Sequence, residues 1–335
     1  MMSLPPRRPH RMAVAPMLDW TDRHCRYFLR LISRHTWLYT EMITTGALLH
    51  GDVDYLLRFD PSEHPVALQL GGSEPADMAR CAQLGAEFGY DEININVGCP
   101  SDRVQNGRFG ACLMAEPQRV GDCVAAMTAT VSIPITVKTR IGIDEQDSYE
   151  ALHQFIATIA AAGCRTVIVH ARKAWLSGLS PKENRTIPPL RYDIVYQLKR
   201  DFPQLEIVIN GGIGTLAQAR AQLNHVDGVM IGREAYHNPF MLAEVDGAFY
   251  DDAHVVPSRD EIVEILLPYI EQELALGSPL KHMTKHILGL YHGVAGARAW
   301  RRYLSENSHR ADAGVDTIRA ALSAVTAARN QLKTD

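Results

Sequence analysis

Short apolar runs alternate with amphipathic segments along most of the chain, and this alternation limits the folds that the sequence can adopt. Several of the runs are nearly continuous in β-branched residues, as expected of strands that are buried on both faces. We predict strands over residues 12–18, 37–42, 66–71, 92–98, 135–141, 166–171, 206–211 and 228–232. The segments between them predict helices over residues 75–88, 117–131, 148–162, 192–201 and 216–223.

A helix after nearly every strand indicates a parallel sheet. Eight such units favour a closed (β/α)8 TIM barrel over an open doubly wound sheet. The motif G-x-G-x-x-G, which is typical of dinucleotide-binding sheets, does not follow the first predicted strand. The sequence therefore predicts an α/β fold built on a TIM barrel.

The pattern changes after residue 245. Residues 251–260 are acidic and contain a proline, as a linker often does, and helices are predicted over residues 261–276, 281–292, 297–307 and 315–332. We divide the chain into a disordered lead-in (1–10), a catalytic barrel (11–245), a linker (246–260) and a small all-helical C-terminal domain (261–335).

The composition is that of an ordinary soluble globular protein, since hydrophobic residues make up 46% and charged residues 21% of the 335 residues. No apolar run reaches the roughly 18–20 residues of a membrane helix. The N-terminus is basic and rich in proline, without the apolar stretch of a signal peptide. We therefore expect a cytoplasmic protein without a membrane span.

The six cysteines lie at positions 25, 81, 99, 112, 123 and 164. They form no C-x-x-C pair and no Cys/His cluster with zinc spacing, so we predict no metal site. Without an export signal we do not expect disulfides. Cys99 stands apart because it follows a predicted buried strand in the stretch NINVGCPSDRVQNGRFG (94–110), where a thiol could be a core residue or a reactive group.

Basic residues are concentrated near the C-terminus. The net charge is −4, yet residues 281–310 contain six Lys or Arg, four His and one acidic residue, Glu306. This asymmetry indicates a surface that faces a polyanion. A solvated helix face would explain the same charges, and charge alone does not decide between the two.

Polar residues lie near the carboxyl ends of the predicted strands, where TIM barrels carry their functional groups. They are Gln69, Asn94, Asn96, Lys138, His170 and Asn210. Each has an ordinary alternative, because a single lysine can extend to solvent and a single histidine is commonly a satisfied polar residue. Their coincidence at consecutive strand ends indicates one shared cavity, since a buried lysine without a partner is costly.

Glycines follow the last two predicted strands, in INGGIGTLAQA (209–219) and MIGREA (230–235). Backbone N–H groups at such a turn can hold a phosphate, with help from a helix N-terminus and from Arg233. A Gly-Gly pair can also be only a turn. A phosphate-bearing cofactor with a flat polar ring, such as a flavin, would suit both the glycines and the lysine, which could stabilise negative charge on the reduced ring.

Longer stretches of the chain carry a family resemblance. They are VAPMLDWTDRHCR, ALQLGG, ININVGCPSDRVQNGRFGACLM, TVKTRIG, VIVHARKAWLSGLSPKENRTIPPL, NGGI, GREAY and GARAWRRYLSEN. Together they closely resemble the tRNA-dihydrouridine synthases, in particular the bacterial A-type enzymes. The resemblance implies an FMN-binding barrel and a helical domain that grips tRNA. It also implies that NADPH reduces FMN, which reduces a uridine of the tRNA D-loop, at position 20 or 20a in the A-type enzymes.

The resemblance also assigns residues. It places the FMN contacts at Pro16, Met17, Leu18, Gln69, Lys138, His170, Asn210, Gly211, Gly212, Gly232 and Arg233, and the tRNA contacts at Asn96, Glu183, Thr186, Ala299 and Arg302. Cys99 would be the catalytic proton donor. We predict no obligatory protein partner and take a monomer as the default state.

A thiol suits the second half of this reaction. Reduction of the uracil C5=C6 bond adds a hydride at C6 and leaves an enolate-like anion that needs a proton at C5. A thiol is mostly protonated near pH 7 and still acidic enough to donate. The uridine must leave its stack to reach a barrel mouth, so we expect it to be extruded.

Three alternatives remain open. A flavin barrel could act on a free small molecule, as dihydroorotate dehydrogenases do, although such a substrate needs no basic helical domain. A non-redox phosphate-binding barrel, such as an aldolase or an isomerase, could use Lys138 as a Schiff-base lysine. The chain could also bind tRNA without needing catalysis.

Overall fold

The computed structural model describes residues 9–334, apart from the side chains at positions 103, 106 and 332–334. In this part of the chain eight strands form one sheet. They are β1 (Met12–Val14), β2 (Leu38–Thr44), β3 (Val66–Gly71), β4 (Glu92–Val97), β5 (Ile135–Arg140), β6 (Thr166–His170), β7 (Glu206–Asn210) and β8 (Gly228–Ile231).

The sheet closes on itself. Neighbouring strands are parallel, in the order β1-β8-β7-β6-β5-β4-β3-β2. The two ends of this order meet at a parallel bridge between Ala13 and Trp37. There Val14 N donates to Trp37 O at 2.9 Å and Trp37 N donates to Met12 O at 3.0 Å. The predicted TIM barrel is confirmed.

Small and large side chains share the barrel interior. The buried cluster consists of Ala13, Ala15, Trp37, Tyr39, Ala67, Ile168, Val208 and Met230, with Met17 packed against it. Alanines beside Trp37 and Tyr39 leave room for the two aromatic rings, which fill the interior that eight strands enclose. The interior is therefore a packed core, and the functional groups must lie at its end.

The described residues form fifteen α-helices. They are α1 (Arg23–Arg30), α2 (Thr45–His50), α3 (Val53–Leu57), α4 (Pro75–Glu87), α5 (Asp102–Asn106), α6 (Pro117–Thr130), α7 (Tyr149–Ala161), α8 (Tyr192–Asp201), α9 (Leu216–Gln222), α10 (Arg233–His237), α11 (Val245–Phe249), α12 (Arg259–Ala275), α13 (Leu280–Ile287), α14 (Ala297–Asn307) and α15 (Val315–Thr334).

Local chemistry explains several helix ends. Thr215 and Gln218 form a capping box at the start of α9, and Ser258 and Glu261 form another at the start of α12. The helix predicted over 281–292 ends earlier, at Ile287. In the described part of the chain no helix combines the length and the apolar character that crossing a bilayer requires.

The described residues divide into two compact units, and the division differs from the predicted boundaries. The first unit contains residues 9–18 and 37–232, and the second contains residues 19–36 and 233–334. Residues 19–36 join the second unit because α1 packs against α13, where the Asp22 carboxylate lies 2.9 Å from His286 Nε2.

The predicted linker over 246–260 begins inside packed structure. Asp246 lies in α11 and is buried, and its carboxylate accepts hydrogen bonds from Ser33 Oγ and Arg34 N, both at 2.6 Å. A residue held in this way is an anchor of the second unit and not part of a flexible connection.

A buried ionic network lies at the amino ends of the barrel strands. His10 Nε2 lies 2.8 Å from a Glu92 carboxylate oxygen, and His10 Nδ1 lies 3.0 Å from Glu206. Tyr39 and Thr136 also donate to Glu92, at 2.9 and 2.6 Å. The lead-in predicted over 1–10 is therefore wrong at residue 10, which is buried, and positions 1–8 lie outside the described residues.

The network shifts two pKa values. Burial disfavours the charged form of His10, but the Glu92 and Glu206 carboxylates outweigh it and raise the pKa of His10 to about 9. Burial likewise disfavours the charged form of Glu206, but its bonds to His10 lower the pKa of Glu206 to about 2. The histidine is thus a cation held between two carboxylates.

Replacing His10 by glutamine should lower the free energy of unfolding near pH 7 by about 3–5 kcal/mol, because Glu92 would stay buried without its cation. The pKa of His10 is raised from 6.5 to about 9, so its protonation stabilises the fold fully below pH 6.5 and this contribution is lost as the pH rises through 9. Urea unfolding should show a steeper decline over this window for the wild type than for His10→Gln.

The double variant His10→Gln/Glu92→Gln is the control for this prediction. It removes the orphaned carboxylate and should regain much of the lost stability. Equal stability of the wild type and His10→Gln would contradict the pairing.

Candidate active site

Strand pairing brings the predicted polar residues to one rim of the barrel. The register places Gln69 opposite Asn94, Asn96 opposite Lys138, and His170 opposite Asn210. Because parallel strands all end on the same side, neighbours in register converge there.

A chain of amides forms one side of this rim. Asn96 Nδ2 donates to Gln69 Oε1 at 2.9 Å, and Gln69 Nε2 donates to Asn94 Oδ1 at 2.8 Å. Asn94 Nδ2 then donates to Thr136 Oγ1 at 2.8 Å. Gln69 and Asn94 are buried, so these bonds fix both amides in one orientation.

A buried cation and a neutral imidazole form the other side. Burial lowers the pKa of Lys138 to about 8, with a further contribution from Arg140. Burial, Arg140 and Lys138 lower the pKa of His170 well below its ordinary range, so the imidazole is neutral at pH 7. Lys138 Nζ lies 3.4 Å from Asn210 Oδ1, and among the described residues no carboxylate pairs with it. The rim therefore offers an unbalanced positive charge.

Glycine is required where β7 ends. Gly211 has φ of +117°, and a Cβ there would lie 2.6 Å from the His170 ring. Tyr192 donates its hydroxyl hydrogen to Gly211 O at 2.6 Å and fixes this turn from the other side. Gly212 follows with φ of +70°. The strand end thus leaves a bare backbone beside His170.

The remaining predicted cofactor contacts are spread along the chain after β1 and β8. Pro16, Met17 and Gly232 are half-buried, and a Cβ on Gly232 would meet nothing nearer than Ala15 at 3.8 Å and Met17 at 3.9 Å. Leu18 is exposed. Arg233 is also exposed, begins α10 and belongs to the second unit, whereas the other residues of this set lie in the first.

Cys99 is half-buried and held by its backbone. Asn96 Oδ1 accepts hydrogen bonds from Gly98 N at 3.1 Å and from Cys99 N at 3.0 Å. The Cys99 thiol lies 3.5 Å from Ser101 Oγ. Asn96 therefore links the thiol-bearing turn to the amide chain, a role in addition to the substrate contact predicted for it.

The segment around the thiol, which we call the Cys99 loop (residues 98–110), is partly helical. It includes the short helix α5. Gly110 has φ of +77°, and a Cβ there would lie 2.6 Å from Cys99 O, so only glycine lets the chain return so close to the thiol.

The predicted tRNA contacts lie in both units. Glu183 and Thr186 are exposed in the β6 loop, which we define as residues 171–191 between β6 and α8. The Glu183 carboxylate accepts hydrogen bonds from Ser180 N and Oγ, at 2.8 and 2.7 Å. Ala299 and Arg302 lie in α14 of the second unit, half-buried and exposed respectively.

The role of Arg140 was not apparent from the sequence. Its side chain is 3% exposed, and it donates to Gly98 O at 2.9 Å and to Lys173 O and Asn184 O at 3.0 Å. It therefore joins the Cys99 loop to the β6 loop. Its position two residues after Lys138 was visible in the sequence. An arginine at a strand end is, however, usually exposed to solvent, so the position alone does not indicate a buried role.

Asn184 was also missed. It is fully buried within the β6 loop, where its side chain accepts from Trp175 N at 2.8 Å and donates to Trp175 O at 2.9 Å. Nothing in its sequence surroundings distinguishes it from a solvated loop asparagine.

Across the residues the structure describes, no group of three or more His, Cys, Asp and Glu side chains is arranged to hold a metal ion.

Comparison with known families decides the identity. The family model described as "Dihydrouridine synthase (Dus)" matches residues 13–329. The chain belongs to the dihydrouridine synthase family. It is 64% identical to the tRNA-dihydrouridine(20/20a) synthase of Shewanella oneidensis over 93% of each chain. It is 63% identical to the enzyme of the same name from Escherichia coli, over 94% of this chain and 91% of the other.

Solved structures of low sequence identity share the fold. An old yellow enzyme homologue from Zymomonas mobilis matches with a TM-score of 0.53 and 13% identity, over 75% of this chain and 91% of that one. A 2-naphthoyl-CoA reductase complex matches with a TM-score of 0.54 and 10% identity, over 73% of this chain and 51% of that one. Both likenesses concern the barrel architecture.

Membership of the family makes the chain a flavin-dependent oxidoreductase. The rim fits a flavin, because Lys138 is a buried cation without a carboxylate partner among the described residues. The bare backbone at Gly211 and Gly212 suits a phosphate-bearing group.

Replacing Lys138 by methionine should stabilise the flavin-free protein by about 1–3 kcal/mol at pH 7, because it removes a buried charge that lacks a counter-charge. The pKa of Lys138 falls from 10.5 to about 8 on folding, so the wild type should gain stability as the pH rises from 8 to 10.5. Chemical unfolding of both proteins after flavin removal, at several pH values, tests this. A less stable Lys138→Met would show that the lysine supports the fold itself.

Proposed function

We propose that this chain reduces uridine to 5,6-dihydrouridine at positions 20 and 20a in the D-loop of tRNA, with FMN as the flavin and NADPH as the reductant. The observation that carries the proposal is the family match over residues 13–329 together with a thiol at the rim where the polar strand ends converge. The names of the bacterial relatives support the two tRNA positions.

The rim residues would hold the cofactor by its polar edge and its phosphate. Lys138, Gln69 and His170 would face the ring, and the backbone after β7 and β8 would face the phosphate. When bound, FMN supplies the hydride that the uracil C6 receives. Lys138 would stabilise negative charge on the ring, as its unbalanced charge allows.

Cys99 would donate the proton that C5 requires. Asn96 holds the amide N–H of this residue and also bonds Gln69, so the thiol and the rim share one rigid support. With Cys99 as the acid, the enolate-like anion of uracil is protonated at once and the thiolate recovers its proton from solvent.

The tRNA would be gripped through its phosphates. Exposed Arg301 and Arg302 lie on α14, and Lys281 and His282 are exposed on α13. Such contacts give affinity and register and carry no base choice. Glu183 and Thr186 in the β6 loop would contact the tRNA near the extruded uridine.

Mass mapping of dihydrouridine in tRNA tests the proposed function directly. Cells that lack this protein should lose dihydrouridine at positions 20 and 20a and regain it when the gene is restored. Dihydrouridine retained at both positions in the deficient cells would reject the assignment.

Replacing Cys99 by alanine should reduce dihydrouridine formation by about 100-fold or more, because the anion would then take its proton from water. Bleaching of the flavin absorbance by NADPH should continue at the wild-type rate. Mass analysis of tRNA and stopped-flow absorbance measure the two quantities. Cys112→Ala is the matched control, since Cys112 is also half-buried and follows the Cys99 loop.

Reversing the charge of Arg301 and Arg302 to glutamate should weaken tRNA binding by about 10-fold or more at low salt and reduce its salt dependence. Flavin reduction by NADPH should not change. Filter binding at several salt concentrations measures the effect. Arg319→Glu, at an exposed position of α15, is the control, and equal losses in both variants would contradict a specific role for α14.

A further inference from the structure

Three consecutive carbonyl groups around the thiol each accept a hydrogen bond. Gly98 O accepts from Arg140 Nε at 2.9 Å, and Cys99 O accepts from Ala111 N at 2.9 Å. Pro100 O accepts from Gln105 Nε2 at 2.9 Å. The backbone on both sides of Cys99 is therefore fixed by side chains, so displacing the Cys99 backbone requires these bonds to break.

Two of these donors also reach the β6 loop. The same Gln105 Nε2 donates to Leu176 O at 2.6 Å, and Arg140 donates to Lys173 O at 3.0 Å. Gln105 and Arg140 thus form two bridges between the Cys99 loop and the β6 loop, one on each side of the thiol. A single amide nitrogen that satisfies one carbonyl from each loop ties their positions together.

The β6 loop is held by several hydrogen bonds of its own side chains. The oxygen and the nitrogen of the buried Asn184 side-chain amide both bond the Trp175 backbone. Lys173 Nζ bonds Asp147 at 2.8 Å and lies 4.1 Å from the Trp175 ring centre. Leu176 N donates to Asp144 Oδ1 at 2.8 Å. The carbonyl that Gln105 contacts therefore belongs to a supported segment.

We propose that Gln105 is a positioning residue that couples the β6 loop to Cys99, so that tRNA contact with the β6 loop sets where the thiol lies. This inference rests on the proposed function, in which the β6 loop touches tRNA and Cys99 gives up a proton. Gln105 acts through Pro100 and touches no reacting atom. A proton donor displaced by about 1 Å loses much of its rate, so a single bridging amide can control turnover.

Gln105 offers a cleaner test than Arg140. Arg140 is buried beside Lys138, and its removal would take the donor from three carbonyls at once. Gln105 is half-buried in the short helix α5, where methionine keeps the length of the side chain and removes both donors. Gln105→Glu places a carboxylate against the two carbonyls and should act in the same direction more strongly.

The experiment compares the flavin-loaded wild type with Gln105→Met. Alkylation of Cys99 by iodoacetamide, followed by peptide mass analysis, should be at least about threefold faster in the variant, because the thiol is released. The maximal rate of dihydrouridine formation should fall about 10- to 100-fold. The KM for tRNA and flavin reduction by NADPH should stay within about twofold.

Gln83→Met is the matched control, because Gln83 is also half-buried and donates to Glu87 within α4, and it should match the wild type in all four measurements. Unchanged alkylation of Cys99 in Gln105→Met would overturn the proposal, whatever the turnover. Faster alkylation with unchanged turnover would overturn the positioning role. If the wild type itself forms no dihydrouridine, the proposed function is wrong. This outcome is seen in the wild type alone and is therefore distinct from a failure of the positioning role.

Discussion

A closed ring of parallel strands sends every strand end of one kind to the same rim, and the rest of the site depends on this constraint. Closure rests on a short contact, the bridge between Ala13 and Trp37 that joins β1 to the chain just before β2. Once the ring is closed, residues far apart in sequence become neighbours in register. Asn96 and Lys138 are one such pair, and His170 and Asn210 are another.

The two ends of the barrel differ in whether a buried charge has a counter-charge among the described residues. At the amino ends of the strands, His10 lies between Glu92 and Glu206, so each charge has its partner. At the carboxyl ends, Lys138 has only the amide of Asn210 within bonding distance in the described structure. The first arrangement stabilises the fold. The second leaves a buried positive charge uncompensated, so a bound group that carries negative charge is favoured there. This second arrangement suits a flavin ring, which carries negative charge when it is reduced.

Sequence reasoning predicted what depends on local pattern. The strands, the TIM barrel and the polar residues at the strand ends follow from periodicity and spacing, and the structure confirms the barrel. It missed Arg140, Asn184 and Gln105 because their roles depend on which distant carbonyls they face, which no local pattern encodes. His10 was assigned to a disordered lead-in because its partners lie about 80 and 200 residues away.

The second unit is discontinuous in sequence, since residues 19–36 precede most of the barrel and residues 233–334 follow it. During synthesis α1 therefore leaves the ribosome long before α13 exists. Its buried residues, among them Cys25, Phe28 and Leu29, have to wait for that partner while the strands are still being added. A nascent chain that stops after β8 would carry a complete ring of strands and one helix without its partner.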